Sequence, residues 1–137
     1  MSNRCRITAM LSTLLLASCA TTPEGPFDTI AGEWKERIEL PSGKTTSSRV
    51  TVIDATRGSF VNQNGIRGRF EGYPVDDQRM WKSYWIIDQG ANACATKKDG
   101  SPYWGETVVQ VNETNDRYKG YWNICGEGAR YSVTGRR

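Results

Sequence analysis

The sequence contains no histidine among its 137 residues. This absence excludes Ser-His-Asp and Cys-His catalysis, and it excludes every metal site that depends on imidazole ligands. Leucine is also rare: beyond the first 18 residues, Leu40 is the only one, whereas Val, Ile, Thr and aromatic residues are plentiful. That composition is typical of β-strands, and the length suits a single domain.

The N-terminus carries a targeting signal. Arg4 and Arg6 precede a mainly apolar stretch over residues 7–16. The stretch is far shorter than the ~20 residues that a membrane-spanning helix needs, so it is interpreted as the apolar core of a signal peptide. It ends in Leu16-Ala17-Ser18-Cys19, which resembles the lipobox of bacterial lipoproteins. The resemblance implies cleavage before Cys19, after its sulfur has received a diacylglycerol.

This resemblance divides the chain into three parts. They are a lipoprotein signal peptide (1–18), a lipidated N-terminus and tether (19–30) and an antiparallel β-domain (31–137). Two or three acyl chains, palmitate among them, hold a protein on a membrane without spanning it. Ala20 follows the cysteine, where lipoproteins retained at the inner membrane mainly have Asp. We therefore expect a lipid anchor in the outer membrane, on its periplasmic face.

The charge of the processed chain is nearly balanced. Once Arg4 and Arg6 are removed with the signal peptide, 16 Lys and Arg side chains remain beside 15 Asp and Glu. Such a balance predicts no nucleic-acid partner, and no polybasic stripe for anionic lipid is evident along the chain.

Two of the four cysteines remain after processing. Cys5 leaves with the signal peptide and Cys19 is lipidated, so Cys94 and Cys125 are expected to form a disulfide in an oxidising compartment. Neither lies in a C-x-x-C motif or has a histidine partner, which argues against redox or nucleophilic roles. Closing a loop of about 30 residues would contribute ~3–4 kcal/mol to stability.

Alternation of apolar and polar residues predicts strands throughout residues 31–137. In the first strand, Trp34 and Ile38 share one parity while Lys35 and Arg37 share the other. Asn64-Gly65 is a strong hairpin turn. Strands are predicted near residues 32–40, 48–54, 59–62, 66–72, 80–88, 103–112, 118–124 and 129–134. The fold class is therefore all-β: a single small antiparallel up-and-down barrel of about eight strands, or a two-layer β-sandwich.

Several strands share a local pattern. Gly68–Gly72, Tyr118–Trp122 and Thr134–Arg136 resemble the G-x-Φ-x-G-x-W strands and terminal G-x-R of small bacterial β-barrel lipoproteins, where Φ is an aromatic residue. The same broad architecture occurs in lipocalin-like carriers and in periplasmic inhibitors of lysozymes or proteases. The resemblance concerns the fold, and no functional residue is transferred from it.

Two features are candidates for ligand or partner contacts. Four tryptophans lie on three consecutive strands, where they could face one another as core, as a pocket for a sugar, lipid or aromatic ligand, or as anchors for a protein. They are Trp81, Trp85, Trp104 and Trp122. The loop over residues 89–102 bears Lys97 and Lys98; it is either a recognition loop preorganised by the disulfide or a solvated connection tied down for stability.

Catalytic and metal-binding patterns are weak. Glu106 near Trp104 could have a raised pKa, but nothing selects the second carboxylate that a glycosidase needs. Asp76, Asp77 and Asp88 lack the spacing of a calcium loop. The sequence therefore predicts no enzyme, no metal and no cofactor.

The functional expectation is a non-enzymatic binding or accessory module, lipid-anchored at the periplasmic face of the outer membrane. One alternative is an inhibitor of a lysozyme-like or proteolytic enzyme that uses the loop over residues 89–102. The other is a lipocalin-like carrier of a small ligand. Its partners would be the membrane, through the anchor, and either an envelope protein or a small apolar or sugar ligand.

Overall fold

A computed structural model describes residues 30–54, 56–73 and 79–137. The predicted signal peptide, the lipidation site Cys19 and the tether up to residue 29 lie outside the described residues, as do Asp76 and Asp77. No helix in the described part of the chain is long and apolar enough to cross a membrane.

The chain forms a closed barrel of eight antiparallel strands, each paired with the next along the sequence. Pairing of the last strand with the first closes the sheet, which confirms the up-and-down barrel and eliminates the two-layer sandwich. The strands are β1 (Gly32–Glu39), β2 (Thr45–Asp54), β3 (Arg57–Asn62), β4 (Arg67–Gly72), β5 (Met80–Ile87), β6 (Tyr103–Val111), β7 (Arg117–Ile124) and β8 (Glu127–Arg136).

Alternating burial along each strand follows the pleat of the sheet. In β2, Val50 and Val52 are buried inside the barrel, while Ile53 points outward and is 58% exposed. This strand begins at Thr45, three residues before the predicted start. Its first inward residues, Thr46 and Ser48, are polar yet buried, so a pattern based on hydrophobicity did not reveal them.

The two ends of the barrel differ in their packing. The base, where β1 begins and β8 ends, holds a dense apolar core. There the rings of Trp34 and Tyr118 lie 5.0 Å apart, and the Arg137 guanidinium lies over Trp34 at 4.4 Å. The mouth is the opposite end, where four connections join β1 to β2, β3 to β4, β5 to β6 and β7 to β8. The Cys94–Cys125 disulfide forms there, with Cα atoms 5.4 Å apart, as predicted.

Two inward-facing glycines make room for large rings. A Cβ atom at Gly105 would lie 2.5 Å from Trp85 Nε1, and one at Gly68 would overlap the ring of Phe60. Such distances are too short for any real side chain. The absence of a side chain at these positions therefore sets how the aromatic rings fill the barrel.

Candidate functional site

The four candidate tryptophans do not form one cluster. Trp81, Trp85 and Trp122 point into the barrel, but Trp104 points outward, so the prediction that all four could face one another is wrong. The register explains the difference, because Trp85 lies opposite Gly105 and Trp104 lies opposite Ile86. Neighbouring residues of a strand point to opposite faces of the sheet, and Trp104 is therefore on the outer wall.

The three inward tryptophans have two roles. Trp81 is 3% exposed and packs against Phe70 at 6.1 Å, as part of the base core. Trp85 and Trp122 lie nearer the mouth, where they pack edge to face with their ring centroids 5.8 Å apart. Their indole N–H groups donate to the backbone oxygens of Asn123 and Glu39, each at 2.9 Å. With both donors satisfied, their apolar ring surfaces are free to line a cavity.

A cavity of about 180 Å³ lies inside the barrel between the base core and the mouth. It reaches the surface beside Ile66, which lines it and is 45% exposed. Most of its lining is apolar and includes Ile38, Leu40, Phe60, Phe70, Trp85 and Trp122. Its polar lining residues are Glu36, Thr46, Asn62 and Thr107. A mainly apolar concavity with a few convergent polar groups is typical of small-molecule sites.

Glu36 is the unusual member of this lining. It is 7% exposed, and the Tyr118 hydroxyl donates a hydrogen bond of 3.0 Å to its Oε1. Burial raises the pKa of the carboxyl to about 7, although the Tyr118 hydrogen bond acts in the opposite direction. Sequence reasoning missed this residue, even though it has the same parity as Trp34 and Ile38 in β1.

Hydroxyl groups beside Glu36 are left without partners. Ser48 lies directly opposite Glu36 in the β1–β2 register, and Thr46 lies two residues before Ser48 in β2, nearer the mouth. Both side chains are buried, and neither Thr46 Oγ1 nor Ser48 Oγ has a hydrogen-bond partner among the described residues. Buried polar atoms are usually paired, because an unpaired one costs about 1–3 kcal/mol. The cavity thus combines apolar walls with unused hydrogen-bonding capacity at one side.

The loop between β5 and β6 packs along the outer wall of the barrel. Lys98 Nζ lies over the rings of Tyr84 and Trp104, at 4.1 and 5.0 Å from their centroids. Arg69 on β4 donates to Asp99 at 2.8 Å and to Asp88 at 3.2 Å. The outward Trp104 is thereby covered, and its Nε1 donates to the loop backbone at Thr96. Lys98 is half-buried in this packing, whereas Lys97 is exposed.

Other predicted acidic positions lie apart from the cavity. Glu106 is on the outer wall, two residues from Trp104 and with the same parity. Asp88 forms an ion pair with Arg69. Among the residues that the structure describes, no group of three or more Cys, Asp or Glu side chains could hold a metal ion.

The chain matches no protein-family model, no curated protein and no solved structure. The cavity, the loop and the distribution of charge are therefore the basis for assigning a function.

Proposed function

We propose that this chain is a non-enzymatic, lipid-anchored binding module of the bacterial envelope, whose barrel cavity takes one small, mainly apolar ligand bearing a polar group. The observation that carries the proposal is the pairing of apolar walls with the buried Glu36 carboxyl and the unpartnered Thr46 hydroxyl. This corresponds to the carrier alternative, within the broader expectation of an envelope binding module.

The polarity of the cavity favours an apolar ligand over a sugar. A sugar needs many hydrogen-bond partners, whereas most of the lining consists of aliphatic side chains and aromatic rings. A ligand with a single hydroxyl or amine would place this group between Glu36 and Thr46. It would thereby satisfy a buried oxygen that otherwise has no partner.

The position of Ile30, the first residue that the structure describes, supports a carrier that is anchored by the base of the barrel. Ile30 lies at the base, where it is 3% exposed and its oxygen accepts a hydrogen bond from Trp34 Nε1 at 2.9 Å. The described chain therefore begins at the end of the barrel opposite Ile66 and the cavity opening. With Cys19 lipidated, the mouth would face away from the bilayer, where a ligand could enter and leave.

A binding role also agrees with the chemistry of the lining. Among the described residues that line the cavity, Glu36 is the one carboxyl, and there is no cysteine or lysine. Its raised pKa allows the group to donate a hydrogen bond below pH 7 and to accept one above it. General acid–base hydrolysis of a glycoside would need a second carboxylate in the cavity.

Native mass spectrometry of the full chain in a mild detergent tests the proposal. The probe is 2-naphthol, a compact apolar molecule with one hydroxyl. We expect the wild type to take up one molecule and Val133→Phe, which fills the cavity from β8, to take up none. Val61→Phe introduces the same ring on the outer wall and should bind like the wild type. Absence of uptake by the wild type, or equal uptake by Val133→Phe, would contradict the proposal.

The loop between β5 and β6 supports a second candidate function, inhibition of an envelope hydrolase. The Cys94–Cys125 disulfide and the Arg69–Asp99 ion pair hold the loop at two points, while Lys97 is exposed between them. A loop held in this way loses little conformational freedom on entering an enzyme cleft. Inhibition of a lysozyme by the full chain, weakened by Lys97→Ala, would support this function.

A further inference from the structure

Cationic side chains form a row across the outer wall of the barrel, interrupted at one strand by a valine. Arg117 on β7 lies opposite Arg136 on β8, and Arg136 lies opposite Lys35 on β1. Lys35 in turn lies opposite Arg49 on β2. Arg49 lies opposite Val61 on β3, and Val61 lies opposite Arg67 on β4, where the row ends. We call Arg117, Arg136, Lys35, Arg49 and Arg67 the cationic row; all five are exposed.

These charges are not neutralised by ion pairs within the described part of the chain. The ion pairs there join Arg57 to Asp54 and Arg69 to Asp88 and Asp99, and none includes a residue of the row. Like charges directly opposite each other on neighbouring strands are destabilising. The row therefore concentrates positive charge on one line of the outer wall, with the carboxylates of Asp116 and Glu33 beside it and not on it.

The row is extended by a parallel pair one step nearer the mouth. Lys119 lies opposite Thr134, and Thr134 lies opposite Arg37, so both cations flank the row on the same outer face. The acidic residue nearest to Arg37 on this face of β1 is Glu39, whose carboxylate accepts hydrogen bonds from Ser132 N and Oγ at 3.2 and 3.0 Å. A partner of opposite charge would meet at least five positive groups along one line.

The curvature of the barrel selects the shape of that partner. In a closed barrel of eight strands, each step to the next strand turns ~45° around the axis. The five steps from Arg117 to Arg67 therefore run more than halfway around the wall. A flat bilayer touches a cylinder along a narrow strip, so it cannot meet both ends of the row. A flexible linear polymer can follow the row from end to end.

The composition of the row argues against a polymer that carries nucleobases. Proteins that bind single-stranded nucleic acid combine a basic groove with aromatic side chains on which the bases stack. None of the five row residues is aromatic, and Val61 fills the gap between Arg49 and Arg67. From Arg117 to Arg49 the backbones of neighbouring cations are one strand apart, ~4.8 Å, which is comparable to the length of a sugar ring in a polysaccharide, and the backbones of Arg49 and Arg67 are two strands apart.

We propose that the cationic row binds a linear acidic polysaccharide, with one carboxylate or sulfate group opposite each of its five cations. The inference is independent of the cavity and of the proposed ligand, because it concerns the outer wall. Binding at such an exposed surface is mainly electrostatic, so its affinity falls steeply as salt is raised.

The test uses heparin as the probe and the full chain in a neutral detergent. The triple variant Lys35→Gln/Arg49→Gln/Arg136→Gln removes the centre of the row. The matched control Lys44→Gln/Lys82→Gln/Lys97→Gln removes three exposed positive charges elsewhere and leaves the same net charge. We expect the wild type and the control to bind heparin at low salt, and the row variant to bind about tenfold more weakly.

Equal weakening by the two triple variants would overturn the proposal, because affinity would then follow net charge and not the row. Failure of the wild type to bind heparin at low salt would also overturn it. Two further probes are a single-stranded oligonucleotide and vesicles of anionic phospholipid. If the row variant loses affinity for either of these while heparin does not bind, the partner is of another class and the proposal fails. Loss of 2-naphthol uptake by cavity variants has no bearing on this result.

Discussion

The Tyr118 hydroxyl on β7 donates a hydrogen bond of 3.0 Å to Glu36 Oε1 on β1, inside a barrel whose interior is mostly apolar. The two side chains are 82 residues apart in sequence and both are buried. Because burial penalises the charged forms of both groups, the pKa of Glu36 rises to about 7 and that of Tyr118 rises well above its usual value. The pair places a titratable group beside the cavity, at the boundary between the base core and the open part of the barrel.

Replacing Glu36 should change how stability depends on pH. The carboxyl ionises near pH 4.5 in the unfolded chain and near pH 7 in the barrel, so stability falls as pH rises through this window. We expect the wild type to lose about 3 kcal/mol across it and Glu36→Gln to lose much less. Urea unfolding at a series of pH values measures the difference.

The control for this experiment is Glu33→Gln, since Glu33 is exposed on the outer face of the same strand. The unfolding free energy of this control should fall between pH 4.5 and 7 as steeply as that of the wild type. Asp54, whose pKa is lowered to about 2 by hydrogen bonds from Thr56, contributes to the pH dependence only in more acidic solution. If the unfolding free energy of Glu36→Gln falls with pH as steeply as that of the wild type, the Glu36 carboxyl does not ionise with a raised pKa.

Removal of the disulfide should destabilise the barrel without opening the sheet. Cys94 and Cys125 are 31 residues apart, and the chain-entropy model predicts a loss of ~3–4 kcal/mol for Cys94→Ser/Cys125→Ser. Equilibrium unfolding in urea measures the loss. A reducing agent should lower the stability of the wild type to that of the double variant, and should leave the variant unchanged.

The two adjacent lysines of the loop should respond differently to substitution. Lys98 is half-buried over Tyr84 and Trp104, so Lys98→Ala should lower the free energy of unfolding by about 0.5–1 kcal/mol. Lys97 is exposed, and Lys97→Ala should change stability by less than about 0.5 kcal/mol. Thermal unfolding of the two variants side by side provides the measurement. Equal losses would contradict the packing of Lys98 against the outer wall.

The proposed lipid attachment at Cys19 predicts that Cys19→Ser will not incorporate labelled palmitate and will leave the membrane fraction of bacterial cells. Cys5→Ser is the matched control, because Cys5 precedes the expected cleavage site and should not affect labelling. Fractionation and gel autoradiography measure both outcomes. Labelling of Cys19→Ser at the wild-type level would disprove the lipobox interpretation.

Strand content was predictable because alternation is a local property of the chain. Val50 and Val52, on either side of Thr51, indicate a strand with one buried face whatever lies next to it. The disulfide was also predictable, since Cys94 and Cys125 are the cysteines that the signal-peptide interpretation leaves to pair in an oxidising compartment. The choice between a closed barrel and a two-layer sandwich was not predictable, because it depends on whether β8 pairs with β1, more than ninety residues away.

The members of the candidate site were harder to identify. Parity within a strand is visible in the sequence, and Glu36 shares it with Trp34, but hydrophobicity patterns treat a glutamate as an outward residue. Tryptophan is a residue type typical of protein cores, but Trp104 lies on the outer wall of the barrel. It is buried there because the β5–β6 loop packs over it. Which side of the barrel a residue occupies depends on the register of every strand beside it.

By itself, the sequence determined the period-two pattern, the turns and the absence of histidine chemistry, and it singled out Cys94 and Cys125 as a pair. Each of these follows from residue types and their spacing over a few positions. The tertiary structure alone decided that Glu36 meets Tyr118 beside a cavity, and that Lys35, Arg49 and Arg136 lie side by side. The reason is that strand pairing joins distant segments, so a chain with a net charge of only +3 can carry a row of positive charges and an apolar interior can contain a carboxyl group.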